Sequence, residues 1–172
     1  DEWEIIEKGA IQRNIALNHF LWDVYHDKKI VKDKVVPIEL LSSSPNYLHQ
    51  MMGVDPPNQI YNHISGTDII KHSDGNYYVL EDNIRCPSGV SYVICNRTAL
   101  KRALFGVFNH YKTHSVTNYA ENLLHLLETA KPHGVDAPVT VVITPGMFNS
   151  AYYEHSYLAL SLIHISEPTR PY

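Results

Sequence analysis

Cysteine is scarce in this sequence: only Cys86 and Cys95 occur, with no partner pattern. That excludes a disulfide-stapled scaffold and points to reduced thiols in a cytosolic protein. No apolar run approaches the ~20 residues a membrane span needs. No basic-then-apolar start resembles a signal peptide, so the Asn96-Arg97-Thr98 sequon carries no weight. There is no excess of basic residues either. The formal charge is −4, with acids and bases interspersed. A nucleic-acid or anionic-membrane surface would show a basic stripe, and its absence argues against both. Internal repeats, low-complexity segments and a phosphate-binding glycine loop are all absent. The 11 histidines are scattered without ligand spacing; His63 and His155 read as hydrogen-bonded scaffold.

What remains is a chain of 172 residues, 44% hydrophobic, enough for one domain or a little more. Residues 2–25 predict one long amphipathic helix, with Trp3, Ile6, Ala10, Leu17, Leu21 and Val24 at roughly helical spacing. The chain starts inside this pattern without Met, so a missing N-terminal portion is expected. Pro37 opens a short helix that ends at Ser42-Ser43-Ser44-Pro45. Residues 46–52 predict a helical turn, and Pro56-Pro57 a rigid loop. Ile60–Ile70 and Tyr77–Ile84 predict the strands of a hairpin around Asp74-Gly75. Asn96 is expected to cap a helix reaching about Lys112. A second helix starts near Asn118, with Glu121 at capping-box spacing, and ends before Lys131-Pro132. Val139–Thr144 (VTVVIT) predicts a strand buried on both faces. The Pro145-Gly146 turn and a helix from Ser150 complete the start of a βαβ unit, with the loop at a helix N-terminus where anions bind. The fold class is therefore α/β, helices first, then an antiparallel hairpin, then a βαβ start.

The densest polar stretch runs from Glu81 to Gly89. Strand side chains alternate faces, so Glu81 and Asn83 point one way and Asp82 the other. A two-residue Asp74-Gly75 turn would pair Ser73 with Asn76 and set Asp68 opposite Glu81. Like charges facing each other across a hairpin cost about 0.2–1 kcal/mol, which a bound cation would remove. Two carboxylates and an amide oxygen are hard ligands suited to Mg²⁺. A register slipped by one sends Asp68 to the other face, so this assignment hinges on the turn. On a continuing strand Arg85 shares the face, its planar fork suited to phosphate or carboxylate. Ser88 and the amides after Pro87 are candidates for an anionic group. Asp82 reads as a salt-bridge or capping partner, and Cys86 as a packing residue. The bland alternative for Glu-x-Asn is a solvated strand face.

The stretch GTDIIKHSDGNYYVLEDNIRCPSGVSYV, with GVDPP before it and TPGMFNSAYYEHSYLA after it, resembles the bacterial circularly permuted ATP-grasp proteins of type 2 over residues 1–159. More distantly it is similar to glutathionylspermidine synthase and eukaryotic glutathione synthetase. The resemblance implies an ATP- and Mg²⁺-dependent ligase that joins a carboxylate to an amine through an acyl-phosphate. It implies Asp68, Glu81 and Asn83 as metal ligands and Arg85 as the group steadying the transferring phosphoryl. Ser88 and Gly89 become substrate-loop residues, as do Pro145, Gly146, Asn149 and Ser150. It further implies a partial ATP-grasp lobe over 1–115 and the start of a Rossmann-like domain over 116–159. Two departures stand out. Cys86 replaces an expected hydroxyl residue, and Met147-Phe148 is a bulkier pair than usual.

Residues 160–172 break the pattern. LSLIHISEPTR resembles an in-frame translation of a sequencing-library adapter, so this tail is expected to pack poorly and carry no role. The downstream ATP-binding lobe would then lie outside the chain, which alone would be inactive. Two other readings stay open: a non-catalytic nucleotide- or metal-binding protein, and a metal-assisted hydrolase using Asp68, Glu81 and a histidine.

Overall fold

The computed structural model describes residues 2–111 and 113–166. The chain divides into two compact units, Asp1–Pro87 and Ser88–Tyr172. The division falls inside the Glu81–Gly89 stretch.

The first unit is built on helix α1 (Glu2–Tyr25), whose first turn carries Glu2 and Glu4, the charges favoured at a helix N-terminus. Lys8 pairs with Glu4 one turn on, at 2.8 Å. Of the expected inner stripe only Val24 is buried; Ile6, Ala10, Leu17 and Leu21 are half-buried and Trp3 is exposed. At its C-terminal end aromatic rings take over the packing. Tyr25 stacks on Tyr47 and Tyr61 at centroid distances of 5.1 and 5.7 Å, and Trp22 stacks on His26 at 4.5 Å. The Asp23 carboxylate accepts from the amides of Lys29 and Ile30 at 2.9 Å, capping the short helix α2 (Lys29–Lys32). Helix α3 (Ile38–Ser43) follows Pro37, which serves as its N-cap. Two 3₁₀ turns, His49–Met51 and Pro57–Gln59, lead to the hairpin.

Strands β1 (Gly66–Lys71) and β2 (Tyr77–Asn83) form an antiparallel pair. The expected strand start at Ile60 is corrected to Gly66. Residues 60–65 instead run alongside α1, where Asn18 accepts from the Tyr61 amide at 2.7 Å and donates to the Gln59 carbonyl at 2.8 Å. A side chain thereby supplies the partners a strand neighbour would have provided.

The second unit begins with α4 (Val90–Ala103), six residues earlier than the Asn96 start expected. Gly89, at φ 104°, reverses the chain into it. The helix breaks at Leu104 (φ −122°, ψ 44°) and resumes as α5 (Phe105–His110), so one continuous helix to Lys112 is not formed. Helix α6 (Tyr119–Thr129) starts at Asn118 as expected, but the Asn118 side chain makes no capping bond. Helix α7 (Tyr152–Ser166) packs against both α4 and α6.

Two expectations are corrected here. Residues 139–144 form no strand; Val139 and Ile143 are 88% and 87% exposed. A strand needs a neighbour for its N–H and C=O groups, and β1 and β2 form the only sheet among the described residues. Nor is packing poor throughout the tail from Leu160: α7 continues to Ser166 and Leu162 is buried, while Leu160 is exposed. Leu158 and Leu162 follow Glu154 at four-residue spacing, so one face of the helix continues through them. Residues 167–172 of the expected poorly packed tail lie outside the described residues. No helix among the described residues is long and apolar enough to cross a membrane.

Candidate functional site

The hairpin sets the geometry of the first candidate site. Its loop has three residues, Ser73 to Gly75: the His72 amide donates to the Asn76 carbonyl at 2.9 Å and the Gly75 amide to the His72 carbonyl at 3.0 Å. Gly75 takes φ 84°, the left-handed position such loops place on glycine. This corrects the two-residue turn expected from Asp-Gly and shifts the ladder by one: Lys71 pairs with Tyr77 and Ile69 with Val79. Yet Asp68 pairs with Glu81, because the ladder shifts again between Asp68 and Ile69. Leu80 is the residue left over, a β-bulge on β2. Turn and bulge each displace the register by one, and they cancel at the acidic pair.

The bulge also decides which side chains face α1. On β1, Thr67, Ile69 and Lys71 share a face, and through pairing so do Asp82, Val79 and Tyr77 on β2. That face lies against α1. Arg13 reaches Asp82 Oδ2 through Nε and Nη2, each at 2.7 Å, and Thr67 Oγ1 donates to Oδ1 at 3.0 Å. The Asp82 side chain is only 9% exposed; it is the salt-bridge partner its alternation suggested. Lys71 is tied to Glu2. Asp68, Glu81 and Asn83 occupy the opposite face, all exposed. Asn83 Nδ2 donates to Glu81 Oε1 at 3.2 Å. Gly66, opposite Asn83, has no side chain to crowd it, and a Cβ there would stand 3.2 Å from Pro87 Cβ.

These residues suit a hard divalent cation. Two carboxylates supply anionic oxygens and Asn83 keeps its amide oxygen while its NH₂ orients Glu81. The third nearby carboxylate, Asp82, is turned away and neutralised by Arg13. Among the described residues no group of three or more His, Cys, Asp or Glu side chains comes together as a metal cluster. A cation at Asp68, Glu81 and Asn83 would therefore complete its shell with oxygens from elsewhere, as Mg²⁺ does with phosphate and water.

Arg85 lies beyond the end of β2, in a bend, so strand alternation does not place it. Its Nη1 donates to Asn46 Oδ1 at 2.6 Å, an anchor from the loop after α3 that sequence spacing does not disclose.

In the second unit the amides after Pro87 are already engaged. Gly89 N–H donates to both Glu154 oxygens at 3.0 and 2.8 Å, and Ser91 N–H and Oγ–H donate to Oε2 at 3.1 and 2.6 Å. Glu154 is 6% exposed and Ser91 fully buried. Burial alone would raise the Glu154 carboxyl. The Ser91 hydroxyl, the Gly89 and Ser91 amides and nearby His155 outweigh that and hold it below the usual carboxylate range. The neighbouring Tyr119 hydroxyl is raised, by burial first and by the Glu154 charge second. The amide donor at Gly89, expected to meet an external anion, thus binds an internal one. Glu154 was not singled out from sequence; the signal available was an acid sharing the helical face of Leu158 and Leu162.

The 144–151 loop is closed by its own contacts. Thr144 Oγ1 shares a hydrogen bond with His155 Nδ1 at 2.9 Å and accepts from the Gly146 amide at 3.2 Å. Asn149 Oδ1 accepts from the Ala151 amide at 2.9 Å. Gly146, at φ 101°, makes the turn. Ser88, Pro145 and Ser150 are exposed, and Phe148 is 98% exposed. Cys86 is exposed and free. Cys95 Sγ lies 2.6 Å from Tyr153 Oη, a contact that raises the tyrosine to about 12.

Comparison with known proteins places this geometry in context. The family model described as circularly permuted ATP-grasp type 2 matches residues 1–164. An uncharacterized protein of Synechocystis sp. is 46% identical over 159 residues, covering 92% of this chain and 33% of that protein. An uncharacterized protein of Mycobacterium leprae is 42% identical over 158 residues, 92% of this chain and 28% of the relative. A more distant one from Mycobacterium bovis is 28% identical over 161 residues, 94% of this chain and 18% of its own length. The chain thus spans about a third or less of these curated relatives.

Proposed function

The chain belongs to the circularly permuted ATP-grasp type 2 family, and from that premise we propose that it carries the metal-binding face of an ATP-dependent carboxylate–amine ligase. Family membership points to ATP-dependent ligase chemistry in general. The finer reading is that ATP activates a carboxylate as an acyl-phosphate, which an amine of an amino-acid- or peptide-like substrate then attacks.

The observation that supports this is the pairing of Asp68 with Glu81 across the hairpin, with Asn83 bonded to Glu81 on the same open face. These three residues would hold Mg²⁺. When bound, that ion would neutralise phosphate oxygens of ATP and so favour phosphoryl transfer. Arg85 would stand on the phosphate side. Asn46 takes one of its guanidinium N–H groups, which leaves the others to steady a phosphate or acyl-phosphate. The exposed Ser88 and the turn at Gly89 would serve as substrate-loop residues, with Pro145, Gly146, Asn149 and Ser150 as the second loop. Because Gly89 N–H and the Asn149 side chain are engaged internally, their part is to shape the loops. Ser88 and Ser150 are the groups left to touch substrate. No step requires a protein nucleophile; the chemistry rests on placing reactants and on charge neutralisation.

The test is Mn²⁺ binding, followed by water-proton relaxation, in the wild-type chain and in Glu81→Ala, together with ADP formation by the full-length protein. Loss of both in the variant is expected. Unchanged ATP consumption by Glu81→Ala would remove the metal role.

A further inference from the structure

The two loops assigned to substrate converge on adjacent residues of one helix. Glu154, in the first turn of α7, accepts the Gly89 and Ser91 amides and the Ser91 hydroxyl. His155, next in sequence, bonds to Thr144 Oγ1, which in turn accepts from the Gly146 amide. Neighbouring helix positions point about 100° apart, so one peptide unit presents a carboxylate to one loop and an imidazole to the other. All of these residues lie in the second unit.

We propose that Glu154 and His155 form a positioning clamp that sets the separation of the 88–91 turn and the 144–149 loop. This rests on the reading that those loops meet the substrate. It goes beyond that reading in making α7, rather than either loop, the element that fixes the shape of the substrate site. The physical argument is directional. Each loop turns on a residue with positive φ, Gly89 at 104° just before α4 and Gly146 at 101°, a conformation that regular secondary structure does not supply. Each is tied, in addition to its own backbone bonds, to a side chain from the same turn of helix α7. A buried carboxylate with three donors on it cannot shift without breaking charge-assisted bonds. A displacement at Gly89 is therefore transmitted through the α7 backbone to Thr144, and the reverse.

The test is residue-resolved amide exchange on the ¹⁵N-labelled chain, comparing wild type with Glu154→Gln and His155→Phe. Glu154→Gln keeps the shape but removes the charge. It is expected to speed exchange at Gly89 and Ser91 by about tenfold, the scale of a lost charged hydrogen bond. It should also speed exchange at Gly146 by roughly threefold through coupling. His155→Phe should do the reverse, with its larger effect at Gly146 and its smaller one at Gly89. Leu127 in α6 and Val79 in β2 serve as references and should not change. Acceleration confined to the loop that was mutated would overturn the clamp. So would equal acceleration at all sites, which marks a merely structural role. If Glu154→Gln fails to fold, His155→Phe carries the same decision from the other side. Mn²⁺ binding at the hairpin is measured on the same samples. Its absence in wild type would count against the ligase reading and leave the clamp untouched.

Discussion

Asp68 stands directly across the hairpin from Glu81, and it does so because a three-residue loop and a bulge at Leu80 displace the ladder in compensating ways. Their separation along the chain is 13 residues by numbering. Neither the loop nor the bulge alone would bring them together on the solvent face.

This pairing makes Asp68→Asn and Glu81→Gln informative. Each removes one of two facing like charges, so the metal-free chain should gain about 0.2–1 kcal/mol of stability. Each should also abolish Mn²⁺ binding. Urea unfolding with and without Mn²⁺ measures both effects. Two substitutions that stabilise the metal-free chain and prevent metal-dependent stabilisation identify a site held against its own repulsion.

Deleting Leu80 should remove the bulge and leave a regular ladder. Glu81 would follow Val79 directly and still pair with Asp68, Asp82 with Thr67 and Asn83 with Gly66, so the ligand face is kept. Far-ultraviolet circular dichroism should keep its helical signal and Mn²⁺ binding should survive. Lost binding would show that the bulge itself shapes the ligand face.

Breaking the lock beneath that face should act on stability first. Asp82→Ala leaves Arg13 without its carboxylate and Thr67 without its acceptor, at a cost of about 1–3 kcal/mol. Arg13 is 44% exposed, so solvent screens part of the loss and the lower end of that range is expected. Urea denaturation of Asp82→Ala, Arg13→Ala and the double variant gives the coupling directly.

Gly66→Ala tests the close approach beside Asn83. The added Cβ would sit 3.2 Å from Pro87 Cβ, so Pro87 must give by a few tenths of an ångström. The expected result is a small destabilisation of about 1 kcal/mol, the low end for overpacking, with weakened Mn²⁺ binding if Asn83 moves too. A chemical-shift map centred on Pro87 and Asn83 would locate the adjustment.

Glu154 predicts the acid limb of stability. Its folded-state carboxyl lies below the ordinary value of 4.5, so the folded state binds fewer protons than the unfolded one in that range. Its stabilisation is fully present above the ordinary value and is lost as pH falls through the depressed one. Glu154→Gln should therefore lower stability at neutral pH and flatten the slope below about pH 4.5. Thermal unfolding from pH 3 to pH 7, compared between the two proteins, reads the difference.

How much of this was accessible from the chain alone differs from element to element. Helix α1 was, because its periodicity runs for 24 residues and no local contact competes. The Asp68–Glu81 pairing was reached through a turn that does not form; alternation is a strong signal, but loop length and bulges depend on backbone details that side-chain pattern does not encode. Local propensity sets the start of α4 at Asn96 because the true cap comes from Glu154, 63 residues beyond Ser91, a partner too distant for propensity to register. Asn46, bonded to Arg85 from 39 positions away, is hidden from the sequence for the same reason. The run at 139–144 has the composition of a strand; pairing, however, belongs to a neighbour and not to the run itself.

That run has a colloidal consequence. Val139, Thr140, Val141, Val142, Ile143 and Thr144 are all β-branched, none is charged, and Val139 and Ile143 stand almost fully in solvent. Six such residues match the length of an interdigitating amyloid segment. Pro138 and Pro145 bracket them and lack the N–H that would extend a ladder in either direction. In concentrated solution this segment is where self-association of the chain would nucleate, and the two prolines limit how far along the backbone it could spread.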